Sequence, residues 1–311
     1  MKRRRKHFKI NTQGKSYTIK DSPFYNLKNT NKLYELLHST IDEIESLKVD
    51  AGNYAVFNQV NGTKKRLIEH PSERLDKIHT RIASLLCRIN LPNYLHSGVK
   101  GRSHITNAKE HLGVVNILTT DVKSFFPSTK REKVFNLFYS IFKCSPKVAN
   151  LIADLCTYEC HIPTGSRISM PLAFWANRNM FDELNVMAES HAIKMTVYVD
   201  DITFSGNKVN RLFKSTVNKI IKKHEHIMHP TKTILYRKNE IKLVTGVIIS
   251  SDNICIQNKQ HKLIYQDIEQ WKLSSVIPKT LNDRLLGRLN ALSIIDPKLK
   301  DKARSIKNIN K

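Results

Sequence analysis

IKMTVYVDDITFS, residues 193–205, sets two adjacent aspartates, Asp200 and Asp201, inside a run otherwise rich in β-branched and aromatic residues. Two carboxylates there are expensive to bury without partners. Within one strand they would point to opposite faces. A tight turn between two strands removes that conflict, so the segment reads as two β-rich runs meeting at the acidic pair. One runs through Val197, Tyr198 and Val199, the other through Ile202 and Phe204. A second apolar run, VVNIL at 114–118, ends in Thr119, Thr120 and Asp121. If these are neighbouring strands of one sheet, three carboxylates meet at one edge. Such a cluster suits Mg2+, which takes hard oxygen ligands from carboxylates, waters and phosphates. Two ions about 4 Å apart would activate a 3′ hydroxyl and steady the oxygen leaving a nucleoside triphosphate. A plainer reading is also open: an exposed turn at Asp200-Asp201, with Asp121 capping a helix after Pro127.

Bulk composition restricts the choice. The chain has 311 residues, 40% of them hydrophobic, enough for a substantial core and two or three lobes. Lys and Arg number 52 against 27 Asp and Glu, a net charge of +25 that favours a polyanionic partner. No stretch approaches the roughly twenty apolar residues that span a membrane. The basic run Lys2, Arg3, Arg4, Arg5, Lys6 lacks a following apolar core, so it reads as a phosphate-touching arm or a solvated terminus. Five irregularly spaced cysteines argue against a disulfide framework and for a reducing cytoplasm.

Along the chain, Leu33, Leu36, Leu37, Ile41 and Ile44 predict one helix. Residues 54–68 predict two strands joined at Asn61-Gly62, and a helical stripe runs from Leu75 to Ile89. Two helical patterns follow, through Val134–Ile141 and Val148–Leu155. IPTGSRISMP at 162–171 breaks the periodicity, and a helix from Pro171 carries Leu172, Trp175, Met180 and Leu184. A helix over 209–224 precedes strands near 232–236 and 241–249, and the basic remainder is mainly helical.

Other side chains fit polymerase chemistry individually. Lys64, Lys65 and Arg66, beside the hairpin, would clamp a triphosphate by charge-assisted hydrogen bonds. One of Phe125 and Phe126 would pack beneath a nucleotide sugar while the other enters the core. Gly165, lacking a side chain, would let the backbone approach a template or nucleotide. Basic hairpins are often merely solvated, paired phenylalanines are usually core, and glycines often mark turns. His224, Glu225, His226 and His229 miss the HExxH spacing because Met228 stands at the second histidine position, so they read as a charged, partly exposed helix terminus. Cys156, Cys160 and His161 lack a fourth ligand and read as core or near-core residues.

Four strings together resemble bacterial retron reverse transcriptases, within the group II intron-like reverse transcriptases. TTDVKSFFPS at 119–128 resembles the first catalytic motif and YVDD at 198–201 the second, with IPTG between them. NAKEH at 107–111 resembles the retron NAxxH motif through Asn107, Ala108 and His111, and Val244, Thr245 and Gly246 resemble its VTG motif. The resemblance covers roughly residues 54–295.

This resemblance implies an α+β right-hand polymerase fold with fingers, an antiparallel palm sheet and a helical thumb. The expected divisions are a basic extension with a fingers-associated helix over 1–50, fingers over 51–112, palm with inserted fingers helices over 113–250, and thumb over 251–311. It implies that Asp121, Asp200 and Asp201 are catalytic metal ligands for Mg2+. Lys65, Arg66, Phe126, Gly165 and Lys232 would bind the nucleotide, Phe126 as the aromatic gate against a ribose 2′ hydroxyl. Asn107, His111, Val244, Thr245 and Gly246 would recognise RNA. Implied partners are deoxynucleoside triphosphates, a cognate structured noncoding RNA serving as primer and template, its RNA–DNA product, and an effector protein. DNA would grow from an internal guanosine 2′ hydroxyl, giving a branched product, in a bacterial cytoplasm and in antiphage defence. One departure stands out: relatives commonly carry PQG and a later serine-proline, where this chain has Pro163-Thr164-Gly165 and Met170-Pro171. A noncatalytic RNA-binding scaffold that keeps the fold is the competing reading. It gives little physical reason to retain three mutually repelling acids. An RNA polymerase is disfavoured by Phe126, and a nuclease would cleave without added deoxynucleotides.

Overall fold

A single helix across Leu33 to Ile44 does not form, because His38 adopts a left-handed conformation (φ 54°) that closes the first helix at Leu37. The result is two helices, α1 (Thr30–Leu37) and α2 (Ile41–Val49), capped by the side chains of Asn29 and Thr40. The structure is a computed structural model that describes residues 8–62, 64–274 and 276–309; the basic run Lys2–Lys6 lies outside the described residues.

β1 (Tyr54–Asn61) and β2 (Lys64–Pro71) form the expected hairpin, in register from Tyr54 opposite Pro71 to Asn61 opposite Lys64. Ser72 caps α3 (Glu73–Leu86), whose Leu75, Ile78, Ile82, Leu85 and Leu86 are buried. Ser103 and Thr106 satisfy each other's backbone at the start of α4 (His104–Lys109). β3 (Ile117–Asp121) follows, then α5 (Phe125–Ser128), α6 (Arg131–Asn136) with a π-helical turn over Leu137–Ile141, and α7 (Pro146–Cys156). The helix expected from Pro171 is two, α8 (Ser169–Ala176) and α9 (Arg178–Ser190). They part at Asn177, whose buried amide donates to Ala173 O (2.9 Å) and Thr129 Oγ1 (2.8 Å).

Then come β4 (Lys194–Tyr198), β5 (Asp201–Ser205), α10 (Arg211–Lys223) and β6 (Ile234–Tyr236). The strand expected over 241–249 is a hairpin, β7 (Lys242–Val244) and β8 (Val247–Ser250), followed by β9 (Asn253–Cys255). Helices α11 (Asn258–Leu273), α12 (Lys279–Leu292) and α13 (Lys298–Ile309) close the chain.

These elements fall into two compact units. The first runs to Asn93 and resumes over Asp121–Met187 and Ser215–Pro230, and it includes the β1–β2 hairpin, whose Val56, Phe57, Val60 and Leu67 are exposed. Its core includes Phe24, Phe138 and Phe142, ring centroids 5.3–5.8 Å apart. The second comprises Tyr94–Thr120, Ala188–Lys214 and the chain from Thr231 onward. It holds a four-stranded sheet in the order β4-β5-β3-β6, in which β4–β5 and β3–β6 pair antiparallel, and a three-stranded antiparallel sheet β7-β8-β9. Ile105, Ala108, Ile117, Val244, Val247 and Ile249 form one core of this unit, and Ile264, Leu285, Leu289, Leu299 and Ala303 unite the three terminal helices. This is an α+β fold. Among the described residues no helix is long and apolar enough to cross a membrane.

Candidate active site

The β4–β5 register places Tyr198 opposite Asp201, so the hairpin turns on two residues, Val199 and Asp200. Val199 has φ 61°, which at the first central position matches a type II′ turn, where glycine is the usual occupant. For a β-branched residue that conformation costs on the order of 1–3 kcal/mol. The turn settles how neighbouring aspartates share one side: Asp200 belongs to the turn, and Asp201 opens β5. β5 adjoins β3, which ends at Asp121. Each of the three carboxylates offers an oxygen, and these oxygens all lie within 4.8 Å of one another. Asp121 is only 4% exposed, and the other two are half-buried. Asp121 therefore does not cap a helix; α5 begins from Ser124. Its carbonyl accepts from His229 N–H (2.8 Å), and Lys123 N–H donates to Ile227 O (2.9 Å), which pins the backbone just beyond β3.

The donor set fits a divalent cation. Three carboxylates gathered this closely repel one another unless cationic charge or hydrogen bonding compensates, and oxygen is the ligand type that Mg2+ prefers.

Of the two phenylalanines, Phe125 is the one that enters the core, buried against Phe181 (6.0 Å between centroids), and Phe126 is half-buried. The histidine cluster does not behave as an exposed terminus throughout. His226 is 2% exposed, with Ser128 Oγ at 2.8 Å from Nδ1 and Asn177 Oδ1 at 2.7 Å from Nε2. The Asn177 amide nitrogen donates elsewhere, so its oxygen faces the ring, and Lys133 Nζ also lies 3.1 Å from Nε2. Burial, then Lys133 nearby, pushes His226 down to about 3, so the ring is neutral at pH 7. Cys156 is buried as expected, but Cys160 is exposed.

Lys65 and Arg66 stand exposed on β2, and Lys232 is exposed just before β6. Gly165 makes a close approach within its own unit. A β-carbon there would lie 2.7 Å from Glu69 O and 2.8 Å from Ile68 Cγ2, so the missing side chain lets this loop pack on β2 of its own unit. Thr164, at the position that departs from PQG, donates its N–H to Glu69 Oε2 (2.9 Å) and its hydroxyl to Leu67 O (2.6 Å). Buried Glu69 also meets His161 Nε2 at 2.9 Å.

Direct reading of RNA by Asn107 and His111 meets an obstacle: they are 1% and 0% exposed. His111 has Ser205 Oγ 2.7 Å from Nδ1 and Thr196 Oγ1 2.7 Å from Nε2, so it ties β4 to β5 on one face of the sheet. Burial drives its pKa down to about 3. Asn107 Nδ2 reaches Thr245 Oγ1 (3.4 Å), and Thr245 Oγ1 donates to His104 O (2.9 Å). Thr245 and Gly246 form the two-residue β7–β8 turn, with φ 45° and 82°; Gly246 is exposed and Val244 is core. Asn107 of NAxxH and Thr245 of VTG thus meet in one hydrogen-bonded group, while His111 bonds to β4 and β5. A residue missed by the sequence reading is Ser97, whose Oγ accepts from Val199 N–H (3.0 Å); no pattern around it pointed to the acidic turn.

No family model matches the chain. Among solved structures, a foamy viral protease–reverse transcriptase in complex with double-stranded DNA aligns at TM-score 0.51 and 14% identity, over 98% of this chain and 48% of that one. Telomerase from Candida albicans aligns at TM-score 0.50 and 10% identity, over 82% and 56%. At such identities these likenesses establish the fold alone, and the class it defines is that of the reverse-transcriptase-like α+β folds. Curated sequences narrow it. Retron Ec86 reverse transcriptase of Escherichia coli is 25% identical over 244 residues (75% of this chain, 76% of the relative). Retron Ec48 reverse transcriptase of Escherichia coli is 24% identical over 305 residues (89% and 74%), and retron Se72 reverse transcriptase of Salmonella heidelberg 30% over 150 residues (47% and 38%). The chain is homologous to bacterial retron reverse transcriptases, and that homology supports reverse transcriptase activity.

Proposed function

We propose that the protein is an RNA-directed DNA polymerase that uses a structured noncoding RNA as both primer and template. The observation that carries this reading is the convergence of Asp121, Asp200 and Asp201 at one end of a sheet, in a chain homologous to retron reverse transcriptases. The three aspartates would hold Mg2+, which would supply Lewis acidity toward the attacking hydroxyl and the phosphoryl oxygens. Asp121, fixed by β3 and the bond from His229, sets one wall of the site; the β4–β5 turn sets the others. Lys65 and Arg66 take the triphosphate, Lys232 adds positive charge beside it, and Gly165 supports the nucleotide site by packing the 162–171 loop on β2. Phe126 excludes a ribose 2′ hydroxyl.

In this reading the β1–β2 hairpin belongs to the fingers, the four-stranded sheet is the palm and α11–α13 are the thumb. Cognate RNA is selected at the Thr245-Gly246 turn, with Asn107, His111 and Val244 shaping that surface from beneath. The primer is an internal guanosine 2′ hydroxyl, the product is branched RNA–DNA, and an effector protein acts with it in antiphage defence.

Purified protein, primed RNA, Mg2+ and deoxynucleotides test the central claim, with Asp121→Asn as control. Incorporation by wild type and its loss in the folded variant are expected; equal incorporation by both overturns the assignment, and none by either favours the scaffold. Phe126→Ala is expected to raise ribonucleotide relative to deoxyribonucleotide incorporation. Unchanged discrimination in steady-state kinetics removes Phe126 as the gate. RNA copurified from native cells, once sequenced, identifies the partner and any DNA joined to it.

A further inference from the structure

We propose that Ser97 is a positioning residue for the acidic turn, holding the Val199 amide so that the chain presents Asp200 and Asp201 correctly. The inference rests on the reading of those aspartates as ligands.

The segment Tyr94–Ser97 runs beside β4 like a short parallel strand. Val197 N–H donates to Tyr94 O (2.8 Å), His96 N–H donates to Val197 O (2.8 Å), and Leu95 bridges Val197. Backbone groups two residues apart in a strand point the same way, so the next donor on this side is Val199 N–H. A continued ladder would satisfy it with a carbonyl. Here the chain leaves the sheet at Gly98 (φ 67°), and the Ser97 hydroxyl takes the bond at 3.0 Å instead. The segment is itself anchored, since Arg102 Nη1 donates to Leu95 O (2.6 Å).

That bond falls on the residue with most to gain from moving. Val199 is a β-branched residue at φ 61°, and rotation of its φ to the ordinary negative region would relieve strain. The same rotation would reorient the peptide leading into Asp200. On the far side, His111 locks Thr196 to Ser205 and fixes the strands that enter and leave the turn. With the strands fixed, the turn peptide keeps a freedom of its own, and the Ser97 hydroxyl bonds directly to it. A hydroxyl suits this better than a backbone carbonyl, because its own rotation lets it follow small changes in the turn while keeping the bond.

The test compares Ser97→Ala, Ser97→Thr and Ser97→Cys in the full chain, with Asp200→Asn alongside. Ser97→Ala is expected to lower kcat about 3- to 10-fold, the weight of one lost hydrogen bond. KM for deoxynucleotides and affinity for RNA stay unchanged, while half-saturating Mg2+ rises. Independently of activity, hydrogen exchange at the Val199 amide accelerates. Ser97→Thr retains the hydroxyl and keeps that protection, and Ser97→Cys, a weaker acceptor of similar size, falls between; it carries the test if the alanine variant does not fold. Unchanged Val199 exchange and unchanged Mg2+ dependence in a folded Ser97→Ala protein overturn the proposal. If Asp200→Asn keeps full synthesis, the ligand reading fails instead, and Val199 exchange still reports whether Ser97 holds the turn.

Discussion

The β4–β5 and β7–β8 hairpins lie in the same unit and each turns on two residues, the first β-branched and at positive φ, yet they are held in opposite ways. In β7–β8 the turn residue anchors itself: the Thr245 hydroxyl donates to His104 O, and Gly246 absorbs the second left-handed conformation without strain. In β4–β5 the turn residue is valine, which has no polar side-chain group, and the hold comes from outside through Ser97. The strands differ too. The inner residues of β4 and β5 are buried on both faces, whereas β7 and β8 alternate buried with exposed or half-buried positions. A turn that must hold charge is seated in a rigid, doubly covered sheet and clamped by a neighbour. A turn that offers surface sits on a half-covered sheet and carries its own anchor.

The sharpest break between them is functional. Asp200→Asn is expected to lower synthesis by about a thousandfold or more on any template, since it removes one carboxylate of the proposed metal site. Thr245→Ala should leave synthesis on a generic primed RNA near wild type while reducing enrichment of the cognate RNA. Sequencing of bound RNA and a primer-extension assay on the same preparations separate the two. If Thr245→Ala fails on both templates alike, the turn serves the metal site and the division between the hairpins is wrong.

How far this was visible in the sequence depends on whether a residue's role is local. The strand runs 114–118 and 193–205, the Asn61-Gly62 hairpin and the α3 stripe follow from periodicity and turn chemistry, which a short window contains. The acidic cluster was legible because carboxylates at the ends of apolar runs are costly to gather unless a cation offsets their repulsion. The helix breaks at His38 and Asn177 were not, since neither residue is a glycine or proline and the second break is stabilised by Thr129, distant in sequence. Gly165 was legible as a point of close approach, but not that β2, distant in sequence, lies against it. His111 and Asn107 were found as motif residues, yet periodicity does not reveal that a polar side chain is wholly buried with its partners 85 or more residues away.

A mid-sized effect follows from that burial. His111→Ala leaves the hydroxyls of Thr196 and Ser205 without their partner in the interior, at a cost of roughly 2–3 kcal/mol. Urea denaturation reads it as a lower midpoint, with exchange quickening in β4 and β5 but not in β7 and β8. The pH dependence has a definite sign. In the unfolded chain the ring takes a proton near pH 6.5, whereas in the fold burial holds its pKa down to about 3. Stability from this group is full above pH 6.5 and is lost as pH falls from there toward 3. His226, also near 3, and His79, near 4, act in the same direction. His111→Gln should therefore reduce the acid-side slope of stability between about pH 6 and 4 by about 1.4 kcal/mol per pH unit, one proton's share. An unchanged slope would mean the ring is charged in the fold.

The smallest effects, and the finest test of the comparison, come from exchanging glycine between the turns. Gly246 has φ 82° and nothing within 4 Å of an added β-carbon, so Gly246→Ala meets no clash and its cost is the backbone penalty alone, about 1 kcal/mol. Gly246→Asn should cost less, because asparagine tolerates the left-handed region. Val199→Gly works the other way. It removes the strain at φ 61° but frees the unfolded chain and gives up the valine's half-buried contacts, so stability should change by less than about 0.5 kcal/mol. Its signature lies elsewhere: once a glycine sits comfortably in the turn, adding Ser97→Ala should accelerate exchange at residue 199 less than it does beside valine. A double-mutant cycle on exchange rates reads that coupling. Equal effects of Ser97→Ala in both backgrounds would show that the serine does not act on the strain, and that the two turns differ in sequence rather than in how they are held.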